Sequence, residues 1–241
     1  MKIVFGIFFV FLTFNLNAQT SGMERNRNYI PWDVVLSSNV FEKFENQIKT
    51  KNQIVLIAQK TEDTLNSIFV FSDIEKNTKS LYSIYIYNNT TDSLIIQRQD
   101  RSFYLIQEAE NKNGEWKPIE YWSYASCGNS YLTDKLEPKG IIETLSVDYD
   151  GDFATKIRFK LFNYDKVYYS NVLDGRINLM QFEFPSDFSN NRILSNIIRV
   201  GGEELLKKMI FLEPNSSSEF TEKNKIWLEG IISKQEKSKK N

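Results

Sequence analysis

Apolar and polar positions alternate in two distinct ways along this chain. Residues 3–14 form one unbroken apolar run, and residues 41–48 place Phe41, Phe44 and Ile48 on one face at helical spacing. Asn39 followed by Glu42 supplies a helix N-terminal cap, so the pattern predicts a short helix over residues 40–49. From residue 53 the period changes. Residues 54–58, 67–71, 81–87, 94–97 and 103–109 are short segments rich in β-branched and aromatic side chains, separated by polar turns. The turn at residues 88–92 predicts a hairpin between its flanking strands, and Asn113-Gly114 predicts a tight hairpin turn into Trp116.

The same pattern continues beyond the aromatic stretch at residues 116–131. Glu137-Pro138-Lys139-Gly140 reads as a turn into a strand over 141–147, and Tyr149-Asp150-Gly151-Asp152 as another. Residues 155–162 alternate most clearly, with Ile157, Phe159 and Leu161 on one side and Lys156, Arg158 and Lys160 on the other. That predicts one buried face and one wet face, whose basic row could also meet an acidic partner. A turn at 163–165 leads into a strand over 167–171. The tail reads as a strand at 193–200, a Gly201-Gly202 turn and a helix at 203–212. A second helix follows over 220–234, carrying Trp227 and Ile231 four apart, and it caps the strands or docks to another protein.

These elements divide the chain into a signal peptide (1–18), an N-terminal segment with a short helix (19–52), a β-sandwich domain (53–182) and a partly helical C-terminal extension with a charged tail (183–241). The expected fold is mainly β, an antiparallel sandwich. The first eighteen residues have a positive start, an apolar core shorter than a membrane span, and Ala18 before a cut at Gln19. Export to the periplasm, cell surface or extracellular space follows, with no membrane span after signal removal.

Composition narrows the chemistry. There is no histidine among the 241 residues, which removes the commonest general base and metal ligand. No phosphate-binding glycine loop is present. Without Lys2 the basic count is 29 against 31 acidic residues, too even a balance to steer the chain to nucleic acid. Cys127 is the only cysteine, expected as a buried small side chain.

The aromatic stretch holds the candidate ligand-binding residues: Trp116, Glu120, Trp122, Tyr124 and Tyr131. If it stays extended, Trp116, Trp122 and Tyr124 share a face with Glu120 between them. Exposed, those rings would stack on a sugar or peptide; buried, as large rings usually are, they would form a packed core. Asp148, Asp150 and Asp152 alternate around Gly151, a spacing that can ligate calcium in an exported protein and that otherwise makes a solvated turn. No other cofactor is implied. Asn88, Asn89 and Asn215 begin N-glycan acceptor patterns that also read as turns.

The segment Gly151-Asp152-Phe153-Ala154-Thr155-Lys156-Ile157-Arg158-Phe159-Lys160, with Tyr168-Tyr169-Ser170-Asn171 after it and the turn Leu136-Glu137-Pro138-Lys139-Gly140 before it, resembles immunoglobulin-like or fibronectin-like modules of secreted bacterial proteins. The resemblance covers about residues 80–182 and implies a sandwich, without the paired cysteines of antibody domains. The expected function is a non-catalytic exported module acting through an unknown protein or as a structural part. A carbohydrate-binding module on the aromatic strand is the alternative, and a carboxylate-dependent hydrolase the second alternative.

Overall fold

The computed structural model describes residues 23–24, 54–61, 81–184 and 191–240. The expected signal peptide, the helix at 40–49 and the strand at 67–71 lie outside the described residues. In chain order the first strands are β1 (Met23–Glu24), β2 (Ile54–Thr61), β3 (Leu81–Asn88), β4 (Leu94–Gln99), β5 (Ser102–Phe103), β6 (Leu105–Glu110) and β7 (Trp116–Pro118). They are followed by β8 (Glu120–Tyr121), β9 (Tyr131–Leu136), β10 (Ile141–Val147), β11 (Phe153–Asn163), β12 (Lys166–Tyr169) and β13 (Leu173–Ile177). Two helices close the chain, α1 (Arg192–Ile210) and α2 (Ser216–Lys240). The fold is mainly antiparallel β; among the described residues only β1 runs parallel to its partner, β8.

Strands β10, β3 and β2 make one three-stranded sheet in that order. On β3, Tyr82, Ile84 and Ile86 point one way, while Tyr85 and Tyr87 point the other and cluster with Val55 and Ile57. Both faces of this sheet are buried, which is why residues 81–87 read as a near-continuous apolar run. A second sheet runs β12-β11-β6-β7, with β13 against the first half of β11. Its inner residues Leu105, Ala109, Ile157, Phe159 and Leu161 share a core with Tyr82, Ile84, Ile86 and Leu56, and the Tyr82 and Phe159 rings meet edge-on at 5.4 Å. The two-residue turn joining β11 to β12 is Tyr164-Asp165, both at positive φ (48° and 61°), the left-handed pair that matches the twist of a hairpin.

The third sheet, β5-β4-β9, corrects the expected hairpin at residues 88–92. β4 pairs with β5 and β9, not with β3. The cause is Asn88. Its buried amide donates to the carbonyls of Asp92 (2.8 Å), Leu136 (3.0 Å) and Glu137 (3.1 Å), and its own backbone pairs with Lys139 and Gly140. The turn therefore carries the chain from one sheet to another, and the amide of Asn88 is occupied by the fold instead of being offered to a glycan. The expected strand at 103–109 is likewise two strands: Tyr104 breaks it, and the chain passes from the third sheet into the second. The β6–β7 hairpin forms, but through a five-residue loop instead of the expected tight Asn113-Gly114 turn; the Asn111 side chain organises it by accepting from the amides of Asn113 and Glu115.

Other side-chain amides tie the sheets together where strands do not pair. Asn171 accepts from Ala58 N–H (2.8 Å) and donates to Ala58 C=O (3.0 Å), completing the edge of β2. Asn163 does the same for β4, accepting from Gln97 N–H (2.9 Å) and donating to Ile95 C=O (3.0 Å). Gln99 holds the segment after β8 through Ser123 C=O and Ala125 N–H, both at 3.0 Å. A primary amide has the donor and acceptor of a peptide group, so each of these side chains stands where another strand would.

The tail differs most from expectation. Residues 193–200 are helix, not strand. Asn191 caps the end by accepting from Ile193 and Leu194 N–H, and Leu194, Ile197, Leu205, Leu206 and Met209 follow one buried face. The Gly201-Gly202 pair does not end the helix but breaks it, with Gly202 at φ 75°, ψ −177°. The second helix forms as expected and runs longer at both ends. α1 packs on the outer face of the second sheet, against Tyr104, Ile106, Trp122, Tyr124 and Phe162.

The amide ties carry a stability prediction. Asn163→Leu keeps the volume but orphans Gln97 N–H and Ile95 C=O, and is expected to lower stability by about 2–4 kcal/mol. Urea denaturation should show a lower midpoint with an unchanged slope.

Candidate functional site

The aromatic stretch does not stay in one register. Ile119 lies between β7 and β8, fully buried, with its N–H bonded to Gln107 C=O at 3.1 Å. Trp116 is therefore separated from the other two rings. Trp122 and Tyr124 are buried beneath α1, with Tyr104 at 4.8 Å and 6.3 Å from their respective rings. The three rings make no common exposed face. The Trp122 backbone N–H donates to Ile210 C=O (2.7 Å), and the Tyr124 hydroxyl to Met209 C=O (3.1 Å), which also accepts from Leu212 N–H, so both help close the C-terminal end of α1. Burial pushes the Tyr124 hydroxyl far above its ordinary range, and so does burial for Tyr82, helped by the Asp148 carboxylate. Tyr131 is exposed and its hydroxyl donates to Ala125 C=O at 2.7 Å.

Glu120 is buried. Its carboxylate accepts from Gln107 N–H (2.8 Å), from the Tyr149 hydroxyl (2.7 Å) and, more weakly, from the Gln107 side chain (3.4 Å). The same Gln107 side chain reaches Ser146 and Val147 at the end of β10. Glu120 is thus one member of a polar network joining β6, β8 and the loop after β10.

Asp148, Asp150 and Asp152 do not converge. Asp148 is half-buried beside Tyr82, Asp152 is exposed, and the Asp150 side chain is 98% exposed, 4.0 Å from Arg176. Among the described residues no group of three acids or cysteines is placed to hold a metal ion. Gly151 packs so closely that a Cβ there would lie 2.2 Å from the Ile177 carbonyl carbon, so backbone contact sets this loop's shape. Cys127 also departs from expectation: its thiol is exposed, because the loop at 126–129 has left both cores.

The constellation the sequence conceals is on the outer face of the second sheet. Arg158 sends two N–H groups to one oxygen of Glu108, at 2.8 and 2.6 Å. Its guanidinium carbon lies 4.3 Å from the Trp116 ring centre and 3.9 Å from that of Tyr169. Lys160, expected on a wet face, is only 1% exposed. It bonds Glu213 (2.7 Å) and Phe211 C=O (3.0 Å), with Glu108 at 3.5 Å. Its face is covered by the corner between the two helices, so its charge meets carboxylates and a helix-end carbonyl instead of water. Two cations and two carboxylates balance here. Glu108, Tyr169 and Glu213 gave no sequence signal, since cross-strand neighbours are invisible until the register is known.

Comparison with protein-family models, with curated proteins and with solved structures finds no match to this chain.

Two outcomes test this geometry. Lys160→Met leaves Glu108 and Glu213 short of a counter-charge and is expected to lower stability by about 3–5 kcal/mol, whereas Lys156→Ala, at an exposed pair, leaves the melting temperature unchanged. The buried tyrosines fix the alkaline limit. Their folded pKa values are raised, so the stability they confer is complete below the ordinary value of about 10 and is lost as pH rises above it. The urea midpoint should fall as pH rises above about 10, and fall less in Tyr82→Phe/Tyr124→Phe.

Proposed function

We propose that this chain is an exported, non-catalytic module of the periplasm, cell surface or extracellular space that works by contact with another protein or as a structural part. Its three larger sheets are read as a β-sandwich of immunoglobulin-like kind. Support for that arrangement comes from the core shared by β2, β3, β6 and β11, with the helices added on the outer face. Export rests on the leader pattern of residues 1–18.

One observation carries the functional reading. The carboxylates best placed for chemistry, Glu120 and Glu108, are buried and saturated by hydrogen bonds from the fold itself. A general acid or nucleophile has to face substrate, and these face Gln107, Tyr149 and Arg158. Apolar side chains stay exposed instead on α2, with Ile226, Leu228 and Ile232 at 60%, 45% and 54%. The reading requires no cofactor.

Carbohydrate binding is the second reading, and the observation favouring it is the partly exposed Trp116 beside Tyr169. It predicts that a polysaccharide quenches tryptophan fluorescence in the intact protein but not in Trp116→Ala.

The decisive measurement for the main reading is turnover by the mature protein on a glycan and peptide panel. No turnover is expected. Hydrolysis that disappears in a folded Glu120→Gln variant would overturn it.

A further inference from the structure

Strand β9 forms the outer edge of the third sheet and bonds only to β4. The register decides which of its backbone groups are spent. Asp100 N–H donates to Ser130 C=O at 2.6 Å, and that pair continues the pairing of Arg98 with Leu132 and of Ile96 with Asp134. In an antiparallel ladder directly paired residues exchange bonds at every second position, so Leu132, Asp134 and Leu136 turn their backbone groups to β4. The alternate positions of β4 agree: Gln97 N–H and Ile95 C=O turn the other way, to Asn163. Thr133 N–H, Thr133 C=O and Lys135 N–H therefore point outward from the sheet edge, and both residues are exposed.

Two features set this edge apart from those of β2 and β4. Asn171 closes β2 and Asn163 closes β4, but among the described residues nothing bonds the outward groups of Thr133 or Lys135. Nor is the edge blunted: the six residues Tyr131–Leu136 run without proline, glycine or bulge. Leu132, beside Thr133, is 41% exposed although it shares a face with the buried Leu136.

We propose that β9 pairs antiparallel with β9 of a second copy, about a two-fold axis through Thr133, so that one sheet runs through both chains. An extended backbone is what matches donors and acceptors at this spacing, and this strand answers its own pattern. Thr133 N–H of each copy donates to Thr133 C=O of the other, and Lys135 N–H to Tyr131 C=O. Charge selects the register. An axis at Asp134 would set aspartate against aspartate, and one at Lys135 lysine against lysine. An axis at Leu132 would leave Lys135 N–H facing Asn129, which lies in the turn Gly128–Ser130 and not in the strand. With Thr133 on the axis, Lys135 lies opposite Tyr131, and Leu132 opposite Asp134, whose carboxylate Arg98 already holds at 2.8 Å. The two Leu132 side chains become diagonal neighbours and cover each other. Such an interface is isologous, the same patch on both copies.

This inference rests on the protein-contact reading and names the partner as the chain itself. The test is sedimentation equilibrium of the mature protein with variants at the axis. A concentration-dependent dimer is expected. Thr133→Pro removes only the outward N–H, at a place where an edge strand tolerates proline, and should weaken the dimer at least about tenfold without unfolding the chain. Thr133→Val keeps the N–H and should keep the dimer. In the unaltered protein, amide hydrogen exchange at Thr133 and Lys135 should slow as concentration rises, whereas Leu132 N–H, bonded to β4, should not respond. A monomer at all concentrations, a dimer as tight in folded Thr133→Pro as in the unaltered chain, or exchange at Thr133 that ignores concentration would overturn the proposal. Those results would leave a contact with a different protein standing; turnover on the substrate panel tests that reading separately.

Discussion

The three larger sheets are held in place by primary amides acting as peptide groups. Asn171 satisfies both backbone groups of Ala58, and Asn163 satisfies Gln97 and Ile95. Asn88 turns three carbonyls from two turns toward one nitrogen. Each amide lies where the backbone ladder stops, and a buried backbone group without a partner costs about as much as a lost hydrogen bond. Apolar packing could tolerate sheets sliding over one another. These bonds cannot, because each one fixes a single residue on one sheet against a single residue on the next.

The helices are attached by a related device with charge added. The corner between α1 and α2 presents the carbonyls that end α1, and the Trp122 backbone N–H, the Tyr124 hydroxyl and the Lys160 ammonium donate to three of them. Lys160 could not be buried alone. Glu213, from the corner itself, and Glu108, from the neighbouring strand, make that burial tolerable, while Trp116, Arg158 and Tyr169 shield the open side. The ionic cluster therefore specifies where the helices dock, and the rings of the same face supply the contact area.

Local pattern made most strands legible. The alternation of Ile157, Phe159 and Leu161 reported a buried face correctly, because it depends only on neighbours two residues apart. Lys160 misleads for the same reason: its face is covered by Phe211 and Glu213, 51 and 53 positions further on. The residues after Asn88 looked like a hairpin turn, since turn chemistry is local and the destination of the next strand is not. Residues 193–200 look strand-like in isolation, and become helix because Leu194 and Ile197 pack with Leu205 and Met209 on a sheet the tail has no local knowledge of. Trp116, Trp122 and Tyr124 were grouped on the assumption of unbroken extension, which Ile119 cancels. Chemistry was harder still to read, for with no histidine the candidate groups were carboxylates, and their partners come from distant strands.

The amide ties also decide how this chain reaches its folded state. They join residues far apart in sequence, 113 positions for Asn171 and Ala58 and 68 for Asn163 and Ile95, so the sheets cannot be locked until nearly the whole β region is present. Such a topology assembles slowly and collectively, with β2 and the first half of β4 each open along one side until their amide partners arrive. An interrupted chain ending before residue 163 would carry both edges without their closing groups, and open edges recruit strands from neighbouring molecules. Synthesis that runs to completion is thus this protein's safeguard against aggregation.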